Sequence, residues 1–150
     1  MFKLFLALHL LAAVFAIGPL VHATTTASRG LRTGDGAATA ASARIATLYS
    51  YASVVVVVFG FGLMSADAPW NKNEKVADMG DPFIWISLLL WLVALALTLG
   101  VLVPSLKQAT VDIANGTGVE GLKARVAASG GVVGLIFAAI IFLMVYKPGS

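Results

Sequence analysis

Cysteine is absent from this 150-residue chain, which excludes disulfides, thiolate metal sites and cysteine nucleophiles. Charge is scarce as well, at 11% of residues against about 25% in an ordinary soluble domain. The net charge of +3 is too small to argue for a nucleic-acid partner. Histidine occurs twice, at His9 and His22. Hydrophobic residues make up 59% of the chain and the mean hydropathy is +0.95. A polytopic membrane protein of this length has little material outside the bilayer, so a soluble catalytic domain has no room.

The opening stretch LALHLLAAVFAIGPLVHATTT has the marks of a secretory leader: Lys3, an apolar run, Gly18-Pro19, and a small-residue site at Val21-His22-Ala23. Three further apolar stretches come after it, at 45–66, 83–105 and 131–146, each near the ~20 residues that cross a bilayer. In that company the opening stretch reads as the first span. Loops rich in Lys and Arg stay cytoplasmic. The first connection carries Arg29, Arg32 and Arg44, and the third Lys107, Lys123 and Arg125. The second holds Asp67, Glu74, Asp78 and Asp81. These counts predict a multi-pass protein of the cell membrane with both termini and the 67–81 loop outside, Trp70 and Trp85 anchoring that loop at the interface.

The two basic connections resemble each other. Shifted by 82 residues, IGPLVHATTTASRGLRTGDG lies on LGVLVPSLKQATVDIANGTG, so that Gly18 meets Gly100, Leu20 meets Leu102, Ala27 meets Ala109, and Gly34 meets Gly116. The expected fold is therefore an all-α membrane protein of four transmembrane helices. They form two hairpins in parallel repeat, with the helices running on into the cytoplasm. Helices are expected at about 2–32, 37–66, 82–114 and 118–146. Asn115-Gly116 should supply a left-handed cap, Pro104 a kink, Thr117 and Glu120 a capping box for the fourth helix, and Gly130-Gly131 a bend within it.

Side chains able to do chemistry are few. His9 lies about two turns inside the first span. A buried ionisable group in hydrocarbon is a candidate ligand, proton carrier or helix–helix hydrogen-bonder. His22 is thirteen residues further, roughly 20 Å along a helix, so the two cannot share one metal. Met64, Met79 and Met144 are possible thioethers but suit packing better. The acidic loop lacks calcium-loop spacing. No metal and no catalytic residue is assigned, no cofactor is expected, and no soluble small-molecule substrate is evident.

Small residues are the positive signal. Gly130, Gly134 and Ala138 at four-residue spacing, and Ala12 and Ala16 with Ala13, put smooth ridges on the fourth and first helices where backbones can approach closely. Ile136, Phe137, Ile140 and Leu143, and the run Val54–Val58, are expected to face lipid or a partner.

The stretch LHLLAAVFAIGPL, with an Arg-rich turn, a second span, an acidic Trp loop and a second hairpin after it, resembles small uncharacterised predicted integral membrane proteins of bacteria. It is similar to accessory subunits of the actinobacterial cytochrome bc/cytochrome c oxidase supercomplex. That resemblance implies integral membrane subunits and lipid as partners, and a non-catalytic role in a respiratory assembly. The competing expectation is a small haem- or copper-handling protein using His9.

Overall fold

The computed structural model describes residues 2–68, 71–75 and 77–147, with the side chains of 67–76 outside the description. The expectation for Trp70 thus falls outside the described residues. Six α-helices, α1 (Phe2–Ala12), α2 (Gly18–Thr33), α3 (Gly36–Met64), α4 (Pro82–Leu97), α5 (Val103–Ala114) and α6 (Glu120–Tyr146), make up four continuous helical spans. Span 1 runs Phe2–Thr33, span 2 Gly36–Met64, span 3 Pro82–Ala114 and span 4 Glu120–Tyr146, each long and apolar enough to cross a membrane. Between spans 2 and 3 a short antiparallel pair, β1 (Asp67–Ala68) and β2 (Asn71–Lys75), folds the acidic loop.

Spans 1 and 3 are each interrupted by five π-helical residues, Ala13–Ile17 and Thr98–Leu102. Both segments end two residues before a proline, Pro19 and Pro104. Proline has no N–H to donate to the fourth residue back, and its ring collides with that carbonyl. The ladder widens instead, as in the Val103 N–H bonded five residues back to Thr98 O. The kink expected at Pro104 is thus a bulge in a helix that carries on, and Pro19 has the same effect.

The two short turns close alike. Gly34 N–H donates to Leu31 O and Asp35 N–H to Gly30 O; 82 residues on, Gly116 N–H donates to Ile113 O and Thr117 N–H to Asp112 O. Both glycines are left-handed, with φ of 67° and 71°, a conformation that costs other residues roughly 1 kcal/mol. The same offset relates fully buried positions, Leu20 to Leu102 and Ala27 to Ala109.

The expected capping box is not formed. The Thr117 hydroxyl donates back to Asp112 O at 3.1 Å and Glu120 pairs with Lys123 at 2.8 Å. Closing α5 takes Thr117 out of the position an N-cap needs. Val119 precedes the first turn instead, and α6 begins at Glu120 rather than 118. In the first turn Asp35 does cap, its Oδ1 accepting from Ala38 N–H at 3.0 Å. Gly130-Gly131 does not interrupt α6, which is a continuous helix from Glu120 to Tyr146.

Contacts between spans alternate along their length. α1 and α2 both pack on α3, while α2 also packs on α6; α4 packs on α6 and α5 on α3. At the end that holds the two short turns, Leu31, Ala43, Leu106 and Val126 form a core drawn from all four spans. Mid-bundle, Leu20, Ala46, Ala94, Val133 and Phe137 form a second. The threonine run in span 1 is accommodated in this setting by back-bonding, Thr25 to Val21 O at 2.7 Å and Thr26 to His22 O at 2.6 Å.

Candidate functional site

Within the described spans His9 and Trp91 bond across to a neighbouring helix, Thr47, Thr98 and Ser129 bond back to their own, and the buried Ser50 and Ser87 hydroxyls meet no partner among the described residues. His9 is half-buried, and its Nδ1 lies 2.9 Å from the carbonyl oxygen of Val56, on α3. Gly60 makes room for the ring: a Cβ there would stand 3.1 Å from His9 Cε1. One turn earlier Phe5 fits over Gly62 in the same way, a Cβ there standing 2.7 Å from the Phe5 ring. These two aromatic-over-glycine contacts hold α1, which has no fully buried residue, against α3. At the repeat-related position, Trp91 Nε1 donates to Ser53 Oγ at 3.0 Å, and that hydroxyl donates on to Ser50 O at 2.6 Å.

The glycines expected to form a ridge do so, against the protein's own first span. A Cβ on Gly130 would overlap the carbonyl oxygen of Thr24, and one on Gly134 would lie 2.9 Å from Thr25 Cγ2. Ala16 is buried and Ala12 half-buried, but Ala138 is exposed. Phe137 is buried in the mid-bundle core, with Ile136 and Ile140 packed on it and Leu143 half-buried. The expectation that these face outward is corrected. Phe137 stands seven residues after Gly130, two turns along the same helix face. Facing out instead are Leu135, Ala138, Phe142 and Val145, at heptad-like spacing. On α3, Val56 turns inward while Val54, Val55 and Val58 are exposed.

Charges divide cleanly along the bundle. Residues 4–28, 45–66, 82–106 and 126–146 carry no Asp, Glu, Lys or Arg, each run about the length that spans hydrocarbon. At the short-turn end all four runs are bounded by a cation: Arg29, Arg44, Lys107 and Arg125. That end holds six basic and three acidic residues and the other end four of each, so the whole net charge of +3 sits beside the turns.

Among the cavities that open on the surface of the described residues are two beside the helices. One of about 150 Å³ lies under the acidic loop between Phe61, Met64, Ala77 and Met79. The other, of about 320 Å³, is a groove between α5 and α6. Among the described residues no three His, Cys, Asp or Glu side chains converge where a metal could sit. Trp85, half exposed, donates its indole N–H to Met79 O and ties the start of α4 to the loop. No protein-family model, curated protein or solved structure matches the chain.

Proposed function

We propose that the chain is a non-catalytic accessory subunit that packs against a larger integral membrane assembly. The observation that carries this reading is the outer stripe of α6, where Leu135, Phe142 and Val145 are 73%, 62% and 70% exposed. Two of the glycines that usually mark a helix–helix contact are used inside the bundle, so a partner would meet bulky apolar side chains instead. Such chains give dispersion contact in lipid wherever a second surface matches their shape. The assignment of that assembly to the respiratory chain, as a cytochrome bc/cytochrome c oxidase supercomplex, rests on the resemblance carried by LHLLAAVFAIGPL, the Arg-rich turn and the acidic Trp loop. We place the short-turn end in the cytoplasm and both termini outside, because the four boundary cations are gathered at that end.

Affinity purification in mild detergent, with mass spectrometry of the proteins that accompany the chain, tests the reading. Replacing Leu135 and Phe142 together by Ala should reduce partner recovery while the bundle's own thermal stability stays near wild type. Undiminished recovery would remove the stripe as the contact.

A second reading, haem or copper handling, draws on the His9 geometry. An imidazole whose Nδ1–H is held by a backbone carbonyl keeps its Nε2 lone pair available, the arrangement ligating histidines usually have. A second ligand would come from another copy or a partner. A Soret band or stoichiometric copper in the purified protein, lost in His9→Ala, would favour this reading over the first.

A further inference from the structure

The two hairpins differ in how tightly they close near their turns. In the first, Gly30 of α2 lies so near α3 that a Cβ on it would stand 2.6 Å from Thr39 Oγ1. The residue 82 positions on is Asp112, whose Oδ1 accepts from Gln108 Nε2 at 2.9 Å. A carboxylate cannot be pressed between helices as a glycine can. The second turn is also longer, α6 beginning four residues after Gly116 where α3 begins two after Gly34. α5 and α6 therefore stand apart and leave the groove of about 320 Å³.

Its lining changes along its length. Gly100, Val101 and Pro104 belong to the charge-free run 82–106, and Leu122, Gln108 and Arg125 continue it past the boundary of that run. Arg125 is the last charge before the run 126–146. The groove thus crosses from hydrocarbon depth to headgroup depth. A Cβ on Gly100 would meet nothing within 4 Å, so the apolar part is open. Lys123 is already paired with Glu120, but Lys107 and the Arg125 guanidinium, both exposed, meet no carboxylate among the described residues.

We propose that this groove holds one anionic phospholipid, its phosphate against Arg125 and one acyl chain along Gly100, Val101 and Pro104. Guanidinium forks match phosphate oxygens, and basic pockets between membrane helices are common seats for anionic headgroups. A zwitterionic lipid offers the same chain but no net charge to answer the excess of cations.

Native mass spectrometry of the full-length protein, released from nanodiscs of mixed phosphatidylglycerol and phosphatidylcholine, tests it. One phosphatidylglycerol should be retained in preference. Arg125→Gln should lower its retention about five-fold, the loss expected for one basic contact near an anionic surface. Gly100→Leu, which fills the groove without touching a charge, should lower it as well, and Arg44→Gln, at the same boundary on α3, should leave it unchanged. The proposal is overturned if Arg125→Gln retains the lipid fully, if Arg44→Gln loses as much, if Gly100→Leu has no effect, if both lipids are held equally, or if inorganic phosphate alone displaces the lipid.

Discussion

Gly130 of α6 is seated on Thr24 of α2 so closely that the Thr24 carbonyl oxygen occupies the space a Cβ on residue 130 would need. Of the described glycines, this one has the least room for a Cβ. The contact is made by backbone against backbone, which cannot turn aside as a flexible side chain would.

Gly130→Ala should therefore destabilise the bundle, by about 1–3 kcal/mol or more, the range for overpacking a well-filled contact. Its neighbour Gly131 is exposed and has nothing within 4 Å of its Cβ position. Gly131→Ala should be neutral or stabilising by up to about 1 kcal/mol, from helix propensity. Reversible unfolding in mixed micelles distinguishes the pair; equal effects would deny the close approach.

Gly34→Ala and Gly116→Ala should cost about the same, near 1 kcal/mol each, because both glycines are left-handed in equivalent closures. Asp35→Ala should cost a further ~1 kcal/mol by loss of the cap on Ala38. In contrast, Thr117→Ala and Glu120→Gln should show no coupling in a double-mutant cycle, since the two side chains do not meet across a capping box. A coupling above ~0.5 kcal/mol between them would restore the box.

His9→Ala should be mild, about 0.6 kcal/mol, the usual worth of a hydrogen bond between helices in lipid. Gly60→Ala should disturb the same contact from the other side, by forcing the imidazole off Val56 O. Infrared or NMR observation of the His9 ring in each variant would track the bond. A severe loss of stability in His9→Ala would mean that the ring holds more than α1.

Cysteines introduced into this thiol-free chain report sidedness directly. Asn73→Cys should react with an impermeant maleimide in intact cells and Asp35→Cys should not. The reverse pattern would invert the orientation read from the boundary cations.

Local features were legible in the sequence. Gly34 and Gly116 announce turns because only a residue without Cβ enters that conformation freely, and the helices before them end one and two residues earlier, at Thr33 and Ala114. Partners distant in the chain were not legible. His9 and Val56 are 47 positions apart, and the amino-acid order does not say whether the ring meets a metal or a carbonyl. The spacing of Gly130 and Gly134 marks a close contact without naming its other side. Helical spacing puts Phe137 on the face of Gly130, which outweighs the apolar character that suggests an outward position. The capping box failed because Thr117 has two uses, and closing the preceding helix took precedence.

The π-helical segment at Thr98–Leu102 divides span 3 into lengths with different allegiances, α4 lying on α6 and α5 on α3. A widened turn sets the faces above and below it out of phase, so one rod serves two neighbours without a break in the chain. A defect in the α4–α6 seam that leaves the Trp91–Ser53 hydrogen bond in place should therefore add to a defect in the α5–α3 seam with little cross-term, although both lie on one continuous helix.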